Sequence, residues 1–483
     1  MRLTKSDFIS FLQCPKSFWL LNRHPDDYPY GEFSAFLQKI TREGYEVERY
    51  VREFFGADAD RAVSFQRVFE TEDGLFSRAD AFEESPDGRF ILYEIKSSTS
   101  VKTDAAHNHL KDACFQKICA QRAGQQIDAV FIVHLNGEYV RDGDIDPALM
   151  LTFVDETDRV AAIEGETAAE IDQALSLLAL DELDRAGCSC LYKSRTHHCD
   201  TFGLFNPDIP KPSIYSLPRL SEKKRTELVN EGVFDVLDIG SGFQLTPNQS
   251  VVVTAAQAGT PVVDVEAIRA FLSEWQFPLY FFDYETYASA VPLIDRTSPH
   301  KHFPVQYSLH VLREDGTLEH HEYLEREARL PDRLLAKLSG EIGLEGSIVS
   351  WHASFEKTRN KEMAELLPEF ADFLIGVNER TVDLEDVFKR SYVDARFDGS
   401  TSIKKILPVI CPELNYQRMD VHDGASAMEA WEKMIRAEGE EADKIAKALL
   451  SYCELDTLAM VEIYKFLVEG LPPHPPSRPR PSL

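Results

Sequence analysis

Residues 277–286 read FPLYFFDYET, and the fold of the second half of the chain turns on them. Leu279, Tyr280, Phe281 and Phe282 are apolar and aromatic, the composition of a buried β-strand. Asp283 and Glu285 then interrupt the run, with only Tyr284 between them. At the strand period of two, both carboxylates face the same side. Two anions at the end of an apolar strand repel each other and lose hydration unless a cation sits between them, and a hard divalent ion is the usual partner. A strand running out into an acidic loop produces the same short pattern, so the residues downstream decide between the two readings.

Downstream, Ile348-Val349-Ser350-Trp351 reads as a short strand, and HASFE (352–356) opens a helix. Glu356 falls in its first turn, where the helix dipole favours an acid in any case. Residues 402–408, SIKKILP, read as another helix. A long helix follows at about 442–468. Leu449, Tyr452, Cys453, Met460, Ile463 and Leu467 form its apolar stripe, and Asp456 falls on that stripe. A buried Asp needs a partner or a cation. Tyr452 and Asp456 are i and i+4, hence neighbours.

Together these motifs resemble the RNase H-like DEDD 3′–5′ exonucleases of the tyrosine subtype. Asp283 and Glu285 match the D-x-E motif, Glu356 stands at the second-motif aspartate, and Tyr452 and Asp456 match Y-x-x-x-D. SIKKILP resembles the helix preceding that third motif. The resemblance covers roughly residues 276–470. It implies two divalent ions, Mg²⁺ or Mn²⁺, held by Asp283, Glu285, Glu356 and Asp456, with Tyr452 orienting the nucleophile. The departure is Glu for Asp at 356.

In the first half, LFSRADAFEE and RFILYEIK are strand-like and flank Ser85-Pro86-Asp87-Gly88, a turn in which Pro fixes φ and Gly permits positive φ. Asp80 lies on the first strand of this hairpin. Glu94 and Lys96 share a face of the second. Two carboxylates and a lysine on neighbouring strands suit phosphodiester hydrolysis, although a solvated charged face has the same spacing. Asp80 with Glu94-Ile95-Lys96 resembles the D…E-x-K signature of RecB-type PD-(D/E)XK nucleases. That family's following helix carries a glutamine at the site, which implies a role for Gln116, although the family's Q-x-x-x-Y is not kept. The resemblance implies that Asp80 and Glu94 hold Mg²⁺ or Mn²⁺, with Lys96 at the attacking water.

Upstream of the hairpin, Thr4-Lys5-Ser6-Asp7 reads as a helix start. A helix at about 33–56 is expected to carry Phe36, Ile40, Gly44, Val47, Val51 and Phe54 on one stripe.

Cys188, Cys190 and Cys199 lie within GCSCLYKSRTHHC, a segment too polar for three core thiols. Four thiolates would hold Zn²⁺ or an iron–sulfur cluster. A subset of RecB-type nucleases closes its fold with a [4Fe–4S] cluster, one ligand before the nuclease core and three after it. Cys14 with Cys188, Cys190 and Cys199 resembles that layout. The C-x-C-x₈-C spacing differs from the family's, so His197 or His198 replacing a thiol, and zinc, stay open.

Between the two halves, a Pro-rich linker leads into SLPRLSEKKRTELVNEGVFDVLDI, which resembles a helix-hairpin-helix unit, a binder of backbone phosphates; a plain linker helix fits equally. Arg219, Lys223, Lys224 and Arg225 add local positive charge there.

The 483 residues include 52 Lys and Arg against 81 Asp and Glu, a formal charge of −29, which argues against a nonspecific coat on nucleic acid. No apolar run reaches membrane-spanning length, and the N-terminus lacks a signal-like apolar block, so a cytoplasmic protein is expected. Its 8 cysteines are then free thiols or metal ligands.

The expected architecture is an α/β multidomain chain. A PD-(D/E)XK nuclease-like domain with the cysteine cluster occupies 1–205, a helix-hairpin-helix-like segment 206–275, an RNase H-like exonuclease domain 276–470 and a Pro-rich tail 471–483. The expected function is a metal-dependent nuclease acting on DNA or RNA. The competing expectation is a nucleic-acid-binding or scaffold protein in which one or both nuclease folds are inactive.

Overall fold

Alternating and continuous apolar runs build two main sheets, one in each of two compact units. The units are Met1–Asp208 with Ala288–Lys301, and Ile209–Tyr287 with His302–Leu483. The computed structural model describes residues 2–29, 35–58, 61–104, 107–414, 416, 421 and 423–471, without the side chains of 35–38. The expected tail from residue 472 onward and the side chain of the stripe position Phe36 lie outside what is described. The chain is a mixed α/β protein with several sheets.

The first unit contains strands β1 (Leu3–Thr4), β2 (Ala62–Glu70), β3 (Leu75–Glu84), β4 (Phe90–Ile95), β5 (Ala129–Leu135) and β6 (Leu151–Asp155). They run β1-β3-β4-β5-β6, with β2 also paired to β3. β2, β3 and β4 form an antiparallel meander. The β3–β4 turn closes as its composition demands: Gly88 takes φ 82° and its N–H donates to Ser85 O at 2.8 Å. β5 is parallel to β4, which requires a crossover, and the helix His109–Arg122 supplies it.

Phe115 and Ile118 of that helix pack with Phe82, Leu92, Val130 and Ile171 on one face of the sheet. On the other face, Val47, Val51 and Phe55 of the helix Ala35–Gly56 pack with Ala81, Tyr93 and Val133. Ile40, expected on that helix's apolar stripe, is 40% exposed. Among the described side chains, the buried apolar stripe is Val47, Val51 and Phe55.

In the second unit, β7 (Val262–Val263) pairs with β13 (Tyr392–Val393) as a small ribbon. The main sheet holds β8 (Leu279–Tyr287), β9 (Phe303–Leu312), β10 (Leu318–Leu324), β11 (Ile348–Ser350) and β12 (Thr381–Asp383) in the order β10-β9-β8-β11-β12. β8, β9 and β10 are antiparallel neighbours, whereas β11 is parallel to β8 and to β12. The helix Gly439–Glu469 packs on β8 and β9 through the expected stripe, burying Leu449, Tyr452, Cys453, Met460, Ile463 and Leu467.

Residues 222–258 include two helices, Glu222–Asn230 and Pro247–Ala258, with a Gly232 turn at φ 73° after the first. Arg225 does not supply surface charge there. It is buried, and its Nη1 donates to Leu220 O at 3.1 Å.

Candidate functional site

Strand β8 delivers Asp283 and Glu285 to the end of the second sheet. The parallel strand β11 brings the chain to the same end, where the helix Ser354–Leu366 starts and carries Glu356 in its first turn. The helix Gly439–Glu469 crosses the sheet and adds Tyr452 and Asp456 one turn apart. All five line one cavity of about 440 Å³, together with His302, His352 and Lys404.

The electrostatics of this cavity are one-sided. Burial, and then Asp456, Glu356 and Glu285, push the Asp283 carboxyl well above the ordinary range. Burial and Asp456 push Glu285 up to about 8. Burial also lifts Glu356 to about 8, against a hydrogen bond from its own backbone amide. Asp456 rises to about 6, burial outweighing the Tyr416 hydroxyl, which donates to Asp456 Oδ1 at 2.6 Å. Glu356 Oε2 is buried without a hydrogen-bond partner.

Acids with raised proton affinity and an orphaned buried oxygen fit a divalent cation, which would let all of them ionise. Ligand atoms of Asp283, Glu285 and Cys453 lie within 4.8 Å of one another. The Cys453 thiol is pushed up by burial and by the surrounding acids, so it stays protonated and leaves a hard ion to the carboxylates. Two participants went unread in the sequence. Lys404 Nζ donates to Tyr452 Oη at 3.0 Å, and Tyr416 caps Asp456. Lys404 was visible only as part of a helical run, and Tyr416 carried no signal.

In the first unit, Asp80 and Glu94 come from paired strands. Asp80 Oδ2 accepts from Ile95 N at 2.9 Å. Glu94 is fully buried: its Oε1 meets Lys5 Nζ at 2.6 Å and Lys96 Nζ at 2.8 Å, and its Oε2 accepts from Gln116 Nε2. Lys96 Nζ also bonds Asp112. Burial works to raise Glu94, but Lys5 and Lys96 outweigh it and hold the carboxyl down at about 2. Asp80 goes the other way, to about 6, through burial and the charge of Glu94. Lys5, Asp80, Ile95 and Gln116 line a cavity of about 500 Å³. The sequence marked Lys5 only as part of a helix start and did not mark Asp112, although Asp112 lies one helical turn before Gln116. Both oxygens of Glu94 are engaged by side-chain donors.

The structure brings Cys14, Cys188, Cys190 and Cys199 together, with sulfur atoms within 4.8 Å of one another. Cys14 sits at the junction of the helices Lys5–Gln13 and Pro15–Arg23. Trp19, Leu20 and Phe205 wall the group in. Asn206 Nδ2 donates to Cys188 Sγ, and Thr201 Oγ1 lies against Cys199 Sγ, each at 3.4 Å. Four thiols with outer hydrogen bonds fit a metal centre. The two histidines lie elsewhere. His197 bonds Ser194 at 2.8 Å, and His198 stacks on Phe202 with ring centroids 3.5 Å apart.

The fold and these groups define a mixed α/β protein with a four-cysteine group able to bind metal and a buried carboxylate cavity. A family model described as a domain of unknown function (DUF2779) matches residues 280–402, a stretch that takes in Asp283, Glu285 and Glu356 and stops before Lys404. The chain is similar to the uncharacterized protein MG366 homolog of Mycoplasma pneumoniae, 30% identical over 230 residues that make up 41% of this chain and 33% of that protein. It is also similar to the uncharacterized protein MG366 of Mycoplasma genitalium, 26% identical over 211 residues, or 39% of this chain and 31% of that one. The matches thus span about a third of the length of these relatives. No helix among the described residues is long and apolar enough to cross a membrane.

Proposed function

We propose that the protein is a metal-dependent nuclease that hydrolyses phosphodiester bonds of DNA or RNA, with a 3′–5′ exonuclease-like site in the second unit and a RecB-like site in the first. The observation that carries this reading is the convergence of Asp283, Glu285, Glu356 and Asp456 on one cavity beside Tyr452. Those four acids would hold Mg²⁺ or Mn²⁺, which when bound activates water and stabilises the leaving oxygen. Tyr452, held at its hydroxyl by Lys404, would orient the nucleophile, and Lys404 would offset negative charge on the phosphate. The sheet order β10-β9-β8-β11-β12, with the D-x-E pair on the central strand, supports an RNase H-like reading. The meander, crossover helix and parallel strand around Asp80, Glu94 and Lys96 support a PD-(D/E)XK reading. For the four cysteines we propose a [4Fe–4S] cluster, with Zn²⁺ as the alternative.

A second reading, nucleic-acid binding without cleavage in the first unit, is favoured by the Lys5 ammonium on Glu94. Digestion of 3′- and 5′-labelled single-stranded DNA and RNA with Mn²⁺ tests both readings. Stepwise 3′ trimming that is lost in Asp283→Ala supports the exonuclease site. Cleavage lost only in Lys96→Ala moves the chemistry to the first unit. No cleavage by the wild type with Mn²⁺, or with Mg²⁺ in its place, leaves the binding protein.

A further inference from the structure

Away from the carboxylate cavity, strands β9 and β10 place His310 directly opposite His320. Their rings stack with centroids 4.4 Å apart. Each imidazole has one nitrogen taken by a hydroxyl: His310 Nδ1 lies 2.8 Å from Thr457 Oγ1, and His320 Nε2 lies 3.0 Å from Ser308 Oγ. The two hydroxyls are 2.6 Å apart, and Thr457 Oγ1 donates onward to Glu454 O at 3.1 Å. With the Thr457 proton on the Glu454 carbonyl, the chain is satisfied when Ser308 donates to Thr457 and protons sit on His310 Nδ1 and His320 Nε2; that assignment leaves lone pairs on His310 Nε2 and His320 Nδ1.

The Glu454 carboxylate lies beside this pair. Glu454 Oε1 lies 3.8 Å from His320 Nδ1, too far for a hydrogen bond. Ligand atoms of His310, His320 and Glu454 all lie within 4.8 Å of one another. Two imidazoles and a carboxylate gathered this closely offer a cation three ligand atoms. We propose that His310, His320 and Glu454 form a further metal site for Zn²⁺ or a similar borderline ion, completed by solvent. Imidazole and carboxylate ligands suit such an ion, and the buried Ser308 and Thr457 hydroxyls orient the rings as outer-shell partners do. Glu454 is 47% exposed, which leaves the ion a route from solvent. The site joins β9, β10 and the helix Gly439–Glu469. A metal here fastens the turn that carries Thr457, next to Asp456, to the sheet. Its role is structural and independent of the nuclease reading.

The test is the zinc content of the full chain after equilibrium dialysis against micromolar Zn²⁺, for wild type, His320→Ala and Glu454→Gln. Both substituted side chains are partly exposed, and melting in chelator checks that the variants fold. Each variant is expected to hold one equivalent fewer than wild type, and the rise in melting temperature on adding Zn²⁺ should shrink. Zinc in the cysteine group is common to all three proteins and cancels. Co²⁺ substitution supplies a second readout: the absorption lost in the variants should be ligand-field bands without thiolate charge transfer. Equal zinc content in all three proteins overturns the site and leaves a stacked histidine pair that only packs.

Discussion

At the scale of single residues, Lys404 matters more than its place in a helical run suggests. It is the cation that works against the raised proton affinities of Asp283, Glu285 and Asp456. It also holds the Tyr452 hydroxyl, with its ammonium 5.1 Å from that ring's centroid. The two roles predict opposite effects of Lys404→Met. Removing a competing positive charge should tighten Mn²⁺ binding, read by calorimetry. Releasing Tyr452 should slow 3′ trimming on the order of 100-fold. Weaker Mn²⁺ binding in the variant would show that Lys404 does not compete with the metal. The i,i+4 spacing of Tyr452 and Asp456 and the alternation of Asp283 and Glu285 were legible because they depend on one element's period. The Lys404–Tyr452 contact was not, because 48 residues of chain separate the partners.

Among the elements, the helices Lys5–Gln13 and Pro15–Arg23 are tied down by the cysteine between them. A metal joining Cys14 to Cys188, Cys190 and Cys199 closes a loop longer than 170 residues. By analogy with covalent cross-links of long loops, that closure is worth roughly 3–5 kcal/mol. Cys14→Ser should therefore lower the metal content of the purified protein and the melting temperature of the first unit, measured by metal analysis and calorimetry. Unchanged metal content would mean that the other three thiols suffice. The same helix start also sends Lys5 to Glu94, so a disturbance at Cys14 should reach the cavity lined by Lys5 and Asp80. Three clustered cysteines in a polar segment announced a metal site, and a family resemblance pointed to Cys14. Neither signal could place Lys5 on a carboxylate 89 residues away.

For the molecule as a whole, the carboxylate cavity makes stability depend on pH in a calculable direction. Glu285 and Glu356 keep their protons to about pH 8 in the metal-free fold, against an ordinary 4.5 in the unfolded chain. From about pH 6.5 to 8 the folded state therefore binds more protons, and stability must fall as pH rises, levelling off above about 8. His109 and His310, both held down at about 4 by burial, act in the opposite direction, but only below the ordinary 6.5. In chelator, the melting temperature should drop across this window. Mn²⁺, which binds the deprotonated acids, should remove the drop. The double variant Glu285→Gln, Glu356→Gln should lose most of that drop in chelator. An equal slope with and without Mn²⁺ would take the cation out of the cavity.

The sequence by itself determined the local elements and the chemistry each one carries: the apolar strand ending in Asp283 and Glu285, the Ser85–Gly88 turn between β3 and β4, the long helix with Asp456 on its buried stripe, and the thiol cluster at 188–199. These follow from periodicity, turn stereochemistry and the cost of burying polar groups, all of which act over a few residues. Only the tertiary structure decided which distant groups meet. It set Lys5 and Gln116 on the two oxygens of Glu94, buried Arg225 away from the surface and gathered His310, His320 and Glu454. Such contacts depend on strand order and helix crossing, which arise from packing over the whole chain and leave no periodic trace in it.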